Sequence, residues 1–360
     1  MLAKPPPPML RRALLAALIA TAAPSPAVRA GEPAAQVAPA GADLTRLFFV
    51  TDRAPTGRTE ASRRFGNRWG EVSFGTCEVR VPPRSRRGKA EKSLRPFRTP
   101  GRPSGKVRLL VVTPLSSDSF YAAIGARAAA HDSTGALVFV HGFNVPFATA
   151  ARFAAQLACD LEFPGPVVLY SWPSTPSYLA DEESIEWTRP HLEEALADLR
   201  RATGAPVNVL TYSIGASAVV GVIRAAADTI VTRGTLLGEL VFVAPDVESR
   251  LLARELEGAA RAARRVTLYA STRDRALRAS RQVHQHRRAG EAGRGLLLLP
   301  GLDTIDASPI RADIMGHGYL EELAVDLHAL LVDHLPPEHR AGLTRIERGD
   351  AGYWKLRRQR

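Results

Sequence analysis

Cysteine is scarce: the 360 residues hold two, Cys77 and Cys159. Two thiols do not make a disulfide scaffold. Cys159 falls in the small, apolar helical pattern Ala148 to Leu161, so both are expected as free, packed thiols. Long apolar runs are missing as well, since no stretch reaches the roughly 18 residues that a spanning helix needs. Clustered metal ligands are absent too. His284 and His286 form a His-x-His pair, but no carboxylate or cysteine accompanies them at ligand spacing, so no metal and no cofactor is expected. Acidic residues are outnumbered, 36 to 48, which leaves a formal net charge of +12. The excess gathers between Arg53 and Arg108, a stretch without the interleaved aromatics that would stack bases. A solvated basic loop is expected there, in weak contact at most with anionic envelope polymers, and no specific nucleic-acid partner.

What is present begins with an export-like N-terminus. Lys4, Arg11 and Arg12 precede the apolar run Ala13 to Ala23, and the small-residue exit Val28-Arg29-Ala30 follows. Basic, apolar and small segments in that order form a secretory signal. Prolines 5 to 8, 24 and 26 argue against a core helix. Residues 1–30 are therefore expected to be a signal peptide, by the general or the twin-arginine route, with the protein periplasmic or secreted. Residues 31–43 read as a linker, 44–335 as one domain with a basic loop at 82–105, and 336–360 as a charged peripheral tail.

Within the domain, Leu47 to Thr51, Glu71 to Val81 and Val107 to Thr113 are strand-like. From Ala136 the pattern becomes regular. Leu137 to Val140, Val167 to Tyr170, Val207 to Tyr212, Leu240 to Val243 and Val266 to Tyr269 are short runs rich in Val and Leu. Helix-length segments lie between them: Ala148 to Leu161, Pro190 to Ala202, Ile214 to Ala227 and Glu248 to Ala263. A strand at Gly301 to Ile305 and a helix at Glu321 to Asp333 complete the series. Such alternation, with strands apolar on both faces, predicts a mostly parallel sheet of about eight strands flanked by helices. Only about one helix separates Val243 from Val266, so no large cap domain is expected.

The chemistry centres on one turn. The strand Val207 to Tyr212 runs into Ser213, and a helix of small and apolar residues starts directly after it, with Gly215 two residues beyond. A tight strand-to-helix turn of this kind exposes a serine at a helix N-terminus, where free N–H groups favour an oxyanion. The strand Val138 to Val140 ends in His141-Gly142-Phe143-Asn144, placing the backbone N–H of Phe143 to pair with that of Ile214 as an oxyanion hole. His141 precedes the nucleophile and is read as bracing this loop. The acid should follow a later strand, and Asp274, just past Val266 to Ala270, is preferred over the alternative Asp246. The base should follow the last strand, where His317 sits between Gly316 and Gly318. Trp172 and Tyr178 are candidate pocket residues, with loop anchoring as the competing role.

From Leu137 to Tyr319 the chain resembles a bacterial α/β-hydrolase family catalogued only as a domain of unknown function. The resemblance rests on Phe139-Val140-His141-Gly142-Phe143-Asn144, Ser171-Trp172-Pro173-Ser174 and Ala244-Pro245-Asp246. It continues in Tyr269-Ala270-Ser271, Asp274-Arg275-Ala276-Leu277, Pro300 to Asp306 and Gly316-His317-Gly318-Tyr319. It implies the α/β-hydrolase fold and the Ser213, Asp274, His317 assignment, without a settled substrate. The departure is at the elbow, where Thr211-Tyr212-Ser213-Ile214-Gly215 stands in place of Ala-His-Ser-Met-Gly. The expected function is an exported serine hydrolase that cleaves a carboxylic ester or related acyl bond of a small molecule through an acyl-enzyme. The alternative is a non-catalytic binding module of the envelope that keeps the fold.

Overall fold

A computed structural model describes residues 43–82, 107–130, 135–233, 237–259, 263–349 and 351–357. The expected signal peptide, nearly all of the linker and the basic loop lie outside these residues. The first strands are β1 (Asp43–Pro55), β2 (Phe65–Val81) and β3 (Arg108–Leu115), followed by α1 (Ser117–Ala129). The alternating part comprises β4 (Leu137–Val140), α2 (Phe147–Leu161), β5 (Val167–Ser171), α3 (Tyr178–Thr203), β6 (Val207–Tyr212) and α4 (Gly215–Arg233). It continues through β7 (Leu237–Val243), α5 (Ser249–Ala259), β8 (Ala263–Ala270), α6 (Arg275–His284), β9 (Leu302–Asp306) and α7 (Ala324–Leu331). Last come β10 (Leu343–Arg348) and β11 (Ala351–Leu356).

The sheet has eleven strands, not about eight, in the order β10-β11-β9-β8-β7-β6-β4-β5-β1-β2-β3. From β1 to β11 the neighbours pair in parallel, and antiparallel hairpins finish both edges. Both faces are covered, and β4, β5, β6 and β7 are buried at every position. Phe49, Phe139, Leu169, Leu210 and Val241 pack with α2 and α7 on one side. Val50, Val138, Val140, Val168, Val209 and Phe242 pack with α1, α3, α4 and α5 on the other.

Two sequence expectations are corrected here. The segment after Pro336, read from its charge as a peripheral tail, supplies β10 and β11, and Trp354 and Lys355 of β11 pair with Ile305 and Asp306 of β9. Edge strands point charged side chains to solvent, so their apolar signal shrinks to residues such as Leu343 and Leu356, which face each other and are buried. Likewise α3 does not begin at Pro190 but twelve residues earlier, and it runs through that proline. Ser177 caps its start by accepting from Ala180 N–H, and Tyr178, Asp181, Ser184, Ile185 and Thr188 bury its first turns. That burial outweighs the amide hydrogen bond a proline cannot make. Between β7 and β8 the described chain is the single helix α5. Both cysteines are free thiols.

Candidate active site

Ser213 sits at the end of β6 with φ of 56°, a left-handed conformation that a residue with a Cβ seldom adopts. Such a residue costs on the order of 1–3 kcal/mol and persists only where its surroundings over-determine it. The surroundings here are specific. Ser213 N–H donates to Val243 C=O at 3.1 Å, and its own C=O accepts from the N–H of Ala216 and of Asp246, each at 3.1 Å. The turn also lies hard against the end of β4. A Cβ on Gly215 would stand 2.3 Å from the His141 carbonyl oxygen, and one on Gly142 would stand 3.0 Å from the Ser213 Cβ. Glycine is required at Gly215 because backbone fills the space a side chain would need. Neither Phe143 N–H nor Ile214 N–H is taken up by a hydrogen bond among the described residues.

Asp274 and His317 meet. The His317 Nδ1 and the Asp274 Oδ2 lie 2.6 Å apart, and Asp274 Oδ1 accepts from Leu277 N–H at 2.9 Å. Asp274 therefore caps α6 and holds the imidazole at the same time. Burial pushes the His317 pKa down, but the charge and hydrogen bond of Asp274, helped by Asp313 and Asp246, outweigh it, and the net shift is upward. The His317 loop is tied at several points. His317 N–H donates to Asp313 Oδ1 at 2.9 Å, and Gly316, at φ of 69°, leaves no room for a Cβ beside the Arg273 carbonyl. Tyr212 gives the elbow's departure a place: its ring packs 5.0 Å from the imidazole, and its hydroxyl donates to His317 C=O at 3.0 Å. Among the described residues the Ser213 hydroxyl makes no hydrogen bond, with His317 or otherwise.

Asp246 is held elsewhere. Its carboxylate accepts from Arg288 Nε at 2.5 Å, Ser280 Oγ at 2.6 Å and the Tyr178 hydroxyl at 2.7 Å. Burial pushes its pKa up, but Arg288, Ser280 and Tyr178 more than reverse this, and the carboxyl is held below its ordinary value. Since Asp246 N–H also supports Ser213 C=O, this buried group braces the elbow from below. Tyr178 and Ile214 help line a cleft of about 300 Å³ between α3, α4 and α5. Trp172 does not line it. Fully buried, it donates Nε1–H to His141 C=O at 2.8 Å and stacks on the His141 ring at 5.2 Å.

Two functional groups escape a sequence reading. Arg53, at the end of the apolar stretch of β1, is fully buried and bonds Val145 C=O at 2.6 Å, Gly66 C=O at 3.0 Å and Ser171 Oγ at 2.9 Å. Its Nη2 lies 3.3 Å from His141 Nε2. Burial lowers the Arg53 pKa to about 9, against the opposing charges of Asp52 and Asp181. Burial and the Arg53 charge together take His141 down to about 3, so this imidazole is neutral and rigidly placed under residues 141–145. Arg288, which fixes Asp246, is the second. The only signal for Arg53 is a charged pair, Asp52-Arg53, continuing an apolar strand.

Among the described residues no group of three or more His, Cys, Asp or Glu is placed to hold a metal ion. His284 is committed to Ser280 C=O and Glu182, each at 2.8 Å. No helix among them is long and apolar enough to cross a membrane.

Comparison with known proteins gives one family. Residues 116–331, more than half of the chain, match the family described as "Alpha/beta hydrolase of unknown function (DUF900)". No curated protein matches the sequence. Among solved structures, the monoclinic form of an esterase from Pyrobaculum calidifontis aligns at 12% identity over 92% of this chain and 99% of that one. Its TM-score of 0.32 is too low to bear on fold or activity. With the elbow, the parallel sheet and the family match in agreement, the chain belongs to this α/β-hydrolase family of unknown function.

Proposed function

We propose that the protein is a serine hydrolase that cleaves a carboxylic ester or related acyl bond through an acyl-enzyme on Ser213. The observation that carries this reading is the Asp274–His317 pair at 2.6 Å, on loops at the same sheet edge as a serine held left-handed at an elbow. In the first half-reaction His317 Nε2 takes the Ser213 proton as the oxygen attacks the acyl carbon, and the leaving alcohol then receives that proton. In the second, His317 takes a proton from water as the water attacks the acyl carbon; the Ser213 Oγ–acyl bond breaks, the acid leaves and Ser213 Oγ takes that proton from His317. Asp274 fixes the imidazole with Nδ1 protonated and Nε2 free to accept. The N–H groups of Phe143 and Ile214, both without a hydrogen-bond partner among the described residues, receive the developing oxyanion.

The second reading, a binding module that keeps the fold, draws on the unbonded Ser213 hydroxyl. Catalytic hydrogen bonds often tighten only with substrate present, so the enzyme reading stands ahead. Labelling with a fluorophosphonate separates them. The wild type should label and Ser213→Ala should not. Labelling of neither, under conditions that label a known esterase, would leave the binding module.

Export completes the proposal. The order of basic, apolar and small segments before Gly31 supports removal of residues 1–30 and work outside the cytoplasm. Cell fractionation with N-terminal sequencing should find a chain starting near Gly31 outside the inner membrane. Unprocessed protein confined to the cytosol would refute it.

A further inference from the structure

We propose that the groove between Arg273, Arg275 and Arg278 on one wall and residues 312–316 on the other binds the anionic group, a carboxylate or phosphate, of the substrate. The proposal rests on the hydrolase reading above and names its substrate class: esters that carry a negative charge away from the scissile bond. The groove encloses about 390 Å³. That is room for a small anion and several attached carbons.

Three observations carry it. First, all three guanidinium groups are exposed and none has a carboxylate within ion-pairing distance or a side-chain hydrogen bond among the described residues. The buried arginines are different: Arg288 is taken by Asp246 and Arg340 by Asp326. Like charges gathered on one concave wall repel each other, and a concave wall of one sign focuses its field on whatever fills it. Guanidinium, a planar fork of donors, suits a carboxylate or a phosphate better than it suits water alone.

Second, the opposite wall leaves the charge unbalanced. Its acidic member is Asp313, and Oδ1 of that carboxylate accepts His317 N–H. Beside it stands Ile314, 83% exposed, with the half-buried Ala312. An apolar side chain so bare at the rim of a cationic groove fits a ligand whose charged end is joined to carbon.

Third, the two walls are the loops that carry the proposed acid and base. Arg273 and Arg275 flank Asp274, and the far wall ends at Gly316, one residue before His317. Arg275 N–H donates to Met315 C=O at 2.7 Å, which ties the walls together. An anion bridging them would be positioned from the same two loops that position the imidazole. Binding energy gathered there, away from the reacting atoms, would orient the ester for attack.

The test uses the triple variant Arg273→Gln/Arg275→Gln/Arg278→Gln, which keeps the backbone contacts of these residues. Inorganic phosphate and succinate are titrated separately into wild type and variant by calorimetry at low ionic strength. The 4-nitrophenyl esters of butyric acid and of succinic acid are then compared as neutral and anionic substrates. The expected result is anion binding to the wild type that the variant loses, the tighter anion telling carboxylate from phosphate. With it should come about a tenfold or larger fall in kcat/KM for the succinate ester, mostly in KM, and an unchanged butyrate ester. Equal losses on both esters, unchanged kinetics on both, or anions that bind wild type and variant alike would each overturn it. Should the wild type hydrolyse neither ester and resist fluorophosphonate, the hydrolase reading fails, and calorimetry still decides whether the groove takes an anion.

Discussion

Each of the two candidate carboxylates has its own work, and the difference is measurable. Asp274 gives one oxygen to Leu277 N–H and the other to His317. Asp274→Asn keeps the helix cap but loses the charge and the acceptor that fix the imidazole. Under the hydrolase reading, turnover should fall by about 10⁴-fold with the fold intact. The pH profile should move as well. His317 is shifted upward, so log kcat/KM should rise with pH to a plateau whose midpoint lies above the ordinary histidine value near 6.5. In Asp274→Asn that midpoint should drop. The sign is opposite for stability: a raised histidine pKa contributes fully below the unfolded value and is lost as pH rises through the folded one. Asp246→Asn should instead show up in stability, because it leaves the buried Arg288 cation without its counter-charge, a defect that costs up to about 3–5 kcal/mol in urea unfolding. The turn at Ser213 and the loops that bring Asp274 to His317 were legible in the sequence because the elbow, the strand ends and the flanking glycines are local signals. What holds Asp246 was not, since its partners Arg288 and Tyr178 lie 42 and 68 positions away.

At the scale of elements, the elbow is supported at a junction of three strand ends. The elbow after β6 presses on the end of β4, and Arg53 at the end of β1 holds the loop that leaves β4. The run of apolar strands made this parallel core legible. The contact of β1 with that loop was not, because a parallel neighbour can come from any distance along the chain. Arg53 tests the junction. Arg53→Met fills much of the same space but takes the donor from Val145 C=O and Gly66 C=O, and each buried acceptor left unpaired costs about 1–3 kcal/mol. Under the hydrolase reading, kcat should fall about 10–100-fold as the Phe143 N–H loses its fixed position. His141 provides a second readout. Arg53 contributes to its depressed pKa, so the imidazole should titrate at higher pH in the variant, measured by NMR. An unaltered His141 titration would mean that Arg53 supports the loop by packing alone.

For the whole molecule, the C-terminal segment decides whether the sheet is complete. Its charge hid it in the sequence, because an edge hairpin needs only a few apolar residues on its inner side, here Leu343, Trp354 and Leu356. Two independent losses follow from ending the chain at Pro336. The first is at the sheet edge: β9, five residues long, would lose β11, and its free N–H and C=O groups would face solvent beside an uncovered apolar patch. The second is deeper. Arg340, fully buried, bonds Asp326 at 3.2 Å and the Tyr269 hydroxyl at 3.1 Å, and the Tyr269 hydroxyl itself donates to Asp326 at 2.5 Å. Without Arg340, Asp326 becomes a buried carboxylate with no cation. Losing one partner of such a pair costs about 3–5 kcal/mol, a large share of the roughly 5–15 kcal/mol that holds a domain together. A chain of residues 43–336 should therefore be unfolded or aggregated at 37 °C, whereas full-length Arg340→Met, which loses only the buried cation, should fold with a lowered Tm. If the truncated chain melted cooperatively at the full-length Tm, β10 and β11 would be ornament to a sheet already complete at β9. If Arg340→Met matched wild type, the deficit of the truncated chain would belong to the sheet edge alone.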